Sequence, residues 1–126
     1  MLPTRRVHTT LPCADPERLR VFYETTLGFR PWAERPGAVL YRAGDGSLFA
    51  ISKASARSSG AHTQMAFTVP DVAAEVAELR ARGVVFEEYD TLPTHDGIGR
   101  VGAGRAAWFK DPEGNLIGIL EFDDPV

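Results

Sequence analysis

Apolar and polar positions along this chain run through the same order twice. An offset of 56 residues carries His8 onto Gln64 and Asp15 onto Asp71. The first copy opens with alternation from Arg6 to Pro12. Val7, Thr9 and Leu11 fall on one face and His8 and Thr10 on the other, which predicts a strand. Asp15 followed by Pro16 is a helix start, with Asp as N-cap and Pro at the first helical position. Leu19, Phe22, Tyr23 and Leu27 recur at helical spacing, and Gly28 supplies the stop. Short strands are predicted over 29–34, 38–43 and 47–53, separated by turn-forming residues at 35–37 and 44–46.

Residues 54–60 are small and polar and read as a linker. The second copy then begins. Gln64 to Val69 is a strand, and Asp71 caps a helix that sets Val72, Val76 and Leu79 on one face. Glu75 and Glu78 precede Arg80 and Arg82, the order the helix dipole favours. Gly83 ends the helix and Val84 to Tyr89 reads as a strand. Asp90 to Gly104, with Gly97, Gly99, Gly102 and Gly104, reads as a long loop of the kind that is usually functional, here a lid. Residues 106–110 and 116–122 close the chain as a hairpin around the turn 111–115. Both halves are β-α-β-β-β. A duplicated unit predicts two half-domains that share one core and form a site between them. The expected organisation is one domain over 1–126, with module one at 5–53, the linker at 54–60 and module two at 61–123.

Composition narrows the function. The 126 residues are 44% hydrophobic and 25% charged, as in an ordinary globular domain. Net charge is -3 with basic residues spread along the chain, which argues against a nucleic-acid partner. No apolar run approaches the ~18 residues of a membrane span. Met1 to Arg6 lack the apolar stretch of a signal peptide. A single Cys13 cannot form an internal disulfide, and it has no partner motif that would make it reactive. Together these lead to the expectation of a cytoplasmic protein.

Four segments carry a resemblance: Val7 to Thr10, Phe22-Tyr23 through Leu27 to Phe29, Ala66 to Asp71, and Trp108-Phe-Lys-Asp-Pro-Glu-Gly-Asn115. The chain resembles the vicinal oxygen chelate superfamily, which includes glyoxalase I, the extradiol dioxygenases, and the fosfomycin and bleomycin resistance proteins. The resemblance implies an α+β fold in which two βαβββ modules pair into a curved mixed sheet around a cavity, with the helices outside. It also implies a homodimer, since members are commonly dimers. Metal-dependent members take ligands from the first and last strands of each module. The matching positions here read His8, Ala50, Gln64 and Gly118, and Glu121 lies on the opposite face by alternation. One imidazole and one neutral amide are too few donors for a divalent ion, so no metal and no cofactor are expected.

The reading that follows is metal-independent binding of a small organic molecule, partly aromatic or apolar, as in the superfamily members that sequester antibiotics. Trp108 is the candidate stacking residue, because Trp108 and Phe109 must face opposite ways and one must face the cavity. His8 and Gln64 are candidates for polar contacts, and Trp32 and Tyr41 for further aromatic wall. Each residue also has a structural reading, as core packing or a satisfied polar group. Two alternatives stay open. One is an isomerase, lyase or epimerase with His8 as the acid/base. The other is a metal-dependent lyase or dioxygenase whose site is completed by residues such as Glu87 or His95.

Overall fold

Asp15 and Asp71 begin the two helices. Each side chain accepts a hydrogen bond from the backbone N–H three residues on, Arg18 and Ala74, both at 3.2 Å. That satisfies one of the N–H groups a helix leaves unpaired at its start. The computed structural model describes residues 1–92 and 94–124. In it α1 spans Pro16–Val21 and widens into a π turn over Phe22–Thr26. It buries Leu19 and Tyr23, and Gly28 at φ +85° lets the chain turn back. The second helix, α2 (Val72–Ala81), buries Val72 and Val76.

The strands of module one are β1 (Thr9–Cys13), β2 (Pro31–Arg35), β3 (Ala38–Arg42) and β4 (Leu48–Lys53). They form one sheet in the order β1-β4-β3-β2, with β1 parallel to β4 and the other pairs antiparallel. Module two contributes β5 (Thr63–Thr68), β6 (Thr94–His95), β7 (Ile98–Val101), β8 (Gly104–Lys110) and β9 (Leu116–Phe122). Its order is β5-β9-β8-β7-β6, again with the first and last strands parallel. The fold is mixed α+β, with two sheets that do not close into a barrel; β1 runs beside β5.

Two expectations for module two need correction. Val84 to Tyr89 is not a full strand. It meets β8 at the isolated bridge Phe86–Phe109 and through the Glu87 N–H on the Trp108 carbonyl at 2.8 Å. The free edge of β8 is shared, because β7 already occupies Gly104 to Ala107. Nor is 90–104 one open loop. Asp96 and Gly97, both at positive φ, make the tight turn of a β6–β7 hairpin, the geometry that Asp-Gly favours. Arg80 holds that turn by donating to the Asp96 carbonyl at 2.8 Å, and the Glu88 carboxylate accepts from Thr94 and from the Gly97 N–H. Residue 93, inside the expected lid, lies outside the described residues. Hydrogen exchange on the free protein should therefore divide the segment. Amides of Ile98 to Val101 that pair with β8 should exchange slowly, and those of 90–92 fast. Uniformly fast exchange from 90 to 104 would contradict this pairing.

The helix-facing side of both sheets shares one core. Leu11, Val39, Tyr41, Phe49 and Ile51 come from module one, and Ala107, Phe109, Ile117 and Ile119 from module two. Aromatic pairs cross between modules: Phe22–Phe109 at 6.1 Å, Phe29–Phe67 at 5.8 Å and Phe49–Phe67 at 6.2 Å between ring centroids. The turn 111–115 adds a polar clamp. The Asp111 carboxylate accepts from the Tyr23 hydroxyl at 2.8 Å and from the N–H groups of Glu113 and Asn115. Asn115 donates to the Pro12 carbonyl at 3.1 Å. Burial and Asp111 push the Tyr23 phenol well above its usual pKa, so it remains a donor. Buried Glu113 accepts from the N–H groups of Ala14 and Asp15 and from Arg18.

Candidate functional site

Alternation along β8 places Phe109 in the core, 1% exposed, and turns Trp108 to the other face of the sheet. We call this the open face, since the helices cover the opposite one. Across three strands the register aligns Trp108, Gly118 and Ala66. Gly118 is what seats the indole. A Cβ there would lie 3.3 Å from Trp108 Nε1 and 3.4 Å from Thr63 Cγ2. Without one, the ring extends across β9 and Nε1 donates to Thr63 Oγ1 at 3.1 Å. Tyr89 packs edge-on against it, 5.7 Å between centroids at 77°. Burial, with Glu87 adding to it, raises the Tyr89 phenol above its usual value, so the hydroxyl stays neutral.

These groups line a cleft of about 430 Å³, whose other walls are residues 60–62, Leu92 and Leu116. One wall is aromatic and one aliphatic, and the polar side chains are Thr63, whose hydroxyl is engaged by the indole, the Tyr89 hydroxyl and exposed His62. That composition suits a flat apolar or aromatic molecule oriented by one or two hydrogen bonds. A second cleft of about 400 Å³ follows the seam between modules, with Thr9, the turn from Ala43 to Ser47, Leu48, Ala66 and Thr68 among its walls. A smaller void of about 220 Å³ lies on the helix side among Leu27, Phe29, Phe67, Leu79 and Phe109.

The other candidate residues are dispersed. His8 is exposed and precedes β1. The expected strand from Arg6 begins only at Thr9, so Val7 is 87% exposed rather than packed under the helix. Extending the β1–β4 register back by one residue sets His8 opposite Leu48, whose partner is Arg42. Gln64 is the extra residue of a bulge, since Thr63 and Met65 pair with successive residues of β9. Its Oε1 accepts from Ser58 of the linker, which leaves the amide committed there rather than to a contact with His8. Tyr41 is not cavity wall. It faces the core with Val39, fully buried, and its hydroxyl donates to Glu24 at 2.8 Å. Trp32 is exposed at a bulge of β2, with the Arg42 guanidinium 4.7 Å from its ring centroid.

The donor set does not fit a divalent metal. Among the described residues no three His, Cys, Asp or Glu side chains converge. Glu121 accepts from the Val72 N–H and pairs with Arg105 on the helix side. Glu87 pairs with Lys110 at 3.4 Å, and His95 is exposed beside Asp96. Two features were missed from sequence: the Tyr89 and Thr63 contacts to Trp108. Tyr89 follows an alternation, Val84, Phe86, Glu88, that favours the opposite face. Nothing local distinguishes Thr63 from the other hydroxyls.

A model of the Glyoxalase/Bleomycin resistance protein/Dioxygenase superfamily matches residues 5–119. No curated protein matches the chain significantly. Among solved structures, TnmS3, an antibiotic binding protein from Streptomyces sp. CB03234, is 26% identical with a TM-score of 0.75, over 98% of this chain and 99% of that one. A glyoxalase/bleomycin resistance protein from the same organism is 26% identical with a TM-score of 0.68, over 92% and 99%. A glyoxalase/bleomycin resistance protein/dioxygenase from Alicyclobacillus acidocaldarius shares the fold at 16% identity, with a TM-score of 0.72 over 97% and 94%.

Proposed function

The chain belongs to the glyoxalase/bleomycin resistance protein/dioxygenase superfamily, and on that premise we propose that it is a binding protein that holds a small, partly aromatic organic molecule without a metal. One observation carries this reading. At position 118, where metal-dependent relatives place a carboxylate, this chain has a glycine, and the space is taken by an indole fixed to Thr63. Similarity to an antibiotic binding protein supports the same direction. Sequestration is then stoichiometric: affinity, rather than turnover, keeps the compound from its target. The exposed position of His8, with no side chain orienting its ring among the described residues, gives no support to acid/base catalysis. We further propose that the protein works in the cytoplasm, as a homodimer.

Two measurements test the reading. Titration with phenylnaphthylamine, an uncharged aromatic probe, should quench Trp108 emission in a Trp32→Phe background. Elemental analysis after dialysis should find no stoichiometric divalent metal. About one zinc, nickel, iron or manganese per chain would overturn metal independence, and no quenching by any aromatic probe would overturn the cleft as the binding site.

A further inference from the structure

On the open face of module one, we infer that Trp32 and Arg42 form an oxyanion-recognising subsite, which selects aromatic ligands that carry a carboxylate or sulfonate. The inference rests on the reading of the protein as a small-molecule binder and adds an anion contact beside the seam cleft, apart from the Trp108 cleft.

The pair is built by the fold. β2 is an edge strand, and the register shifts between Pro31 and Ala33, so Trp32 is the extra residue there. Bulges re-aim side chains in this way. Trp32 as a residue remains 45% exposed, unusual for a tryptophan with a core nearby. Arg42 lies in the row of β3 residues, with Leu40 and Ala38, that faces away from the helices. Its guanidinium sits 4.7 Å above the indole centroid.

Among the described residues no carboxylate pairs with Arg42, unlike Arg18, Arg20, Arg82, Arg100 and Arg105. Arg5, Arg6, Arg30, Arg35, Arg57, Arg80 and Lys53 share that property, but only Arg42 and Arg80 of the described cations lie over an aromatic ring, and Arg80 already donates to the Asp96 carbonyl. A guanidinium stacked on an aromatic ring uses its flat face and is held in place by it. Among the described residues nothing accepts from the N–H fork at its edge, which has the geometry that binds an oxyanion through two hydrogen bonds. Neither residue is a wall of the Trp108 cleft; the pair adjoins the separate seam cleft through its neighbours, since Leu48, the cross-strand partner of Arg42, and Ala43, next in the chain, both line it. Asp45 lines the same cleft from an exposed turn and opposes an anion there. It belongs in the test for that reason.

The probes are anilinonaphthalene sulfonate and phenylnaphthylamine, which share a ring system and differ by the sulfonate. Arg42→Gln should weaken the sulfonate about tenfold, as expected for hydrogen bonds to a charged group, and leave the neutral probe within about twofold. Asp45→Asn should strengthen the sulfonate alone. Added salt should erode the wild-type preference, since the charge lies near solvent. Lys110→Gln serves as a control for an anion held instead beside Trp108. Circular dichroism confirms that each variant folds. Trp32→Leu, which removes the platform and leaves the charge, should also reduce the sulfonate preference.

Equal loss of both probes in Arg42→Gln, loss of neither, or transfer of the effect to Lys110→Gln would each overturn the subsite. The two readings fail separately. A neutral probe that does not bind wild type, beside a sulfonate that still depends on Arg42, removes the aromatic cleft and keeps the subsite. The reverse removes only the subsite.

Discussion

Replacing Trp108 by alanine should weaken phenylnaphthylamine binding by about 1–3 kcal/mol, the usual range for a central aromatic contact. The fold should survive. The indole lies on the open face, half-buried, and its one hydrogen bond goes to Thr63 Oγ1, which water can satisfy after the ring is gone. The neighbouring substitution should behave in the opposite way. Phe109 is 1% exposed and packs against Phe22 and Phe86. Phe109→Ala should cost about 3–5 kcal/mol of stability, the range for truncating a buried ring. Whatever protein stays folded should bind the probe normally. The contrast isolates the site from the scaffold, because adjacent residues of one strand differ only in the face they present. If Trp108→Ala binds as wild type does, while Phe109→Ala loses affinity and keeps its melting temperature, the open-face cleft is not the ligand site.

What the sequence showed was local, and what it hid was set by distant partners. Asp15, Pro16, Asp71, Gly28 and Gly83 mark the helix ends because capping and left-handed turns depend on adjacent residues. The opposition of Trp108 and Phe109 follows from strand geometry, and in the fold Phe109 is the buried member and Trp108 the half-buried one. Tyr41 shows where alternation stops helping. It shares a face with Val39 and opposes Leu40, and both faces are apolar enough to be core. Gln64 leaves its expected place because of a bulge defined by the register of β9, about fifty residues away. His8 is misplaced by one residue at the start of β1, where Val7 continues the apolar alternation into unpaired chain. The Asp96-Gly97 turn was visible in principle. Its signal was submerged among four closely spaced glycines that together read as a loop.

Glu113 is the strongest case of the second kind. From sequence it is one residue of a turn; in the fold it joins the modules. Its carboxylate is 1% exposed and accepts from the Ala14 N–H at 2.6 Å, the Asp15 N–H at 3.4 Å and Arg18 at 2.9 Å. Glu113→Ala leaves those two backbone donors without their partner at the start of α1, while half-exposed Arg18 can return to water. The expected cost is about 2–4 kcal/mol, measured by urea unfolding at neutral pH. Glu113→Gln should lose somewhat less, since its amide oxygen still accepts. Acidity provides a second readout. Burial alone would raise the Glu113 pKa, but the Ala14 N–H, Arg18 and the Asp15 N–H outweigh it and hold the carboxyl below its ordinary value. A lowered folded-state pKa means that the stabilisation is complete above the unfolded value, and is lost as pH falls through the folded one. The stability gap between wild type and Glu113→Gln should therefore be constant near neutrality, begin to shrink as pH falls through the ordinary carboxylate range, and close below the lowered folded-state value. Comparing the two proteins cancels the similar contributions of Glu24 and Glu121, whose carboxyls are also held low. A gap that is absent at neutral pH, or that widens in acid, would show that the modules hold together through their aromatic core alone.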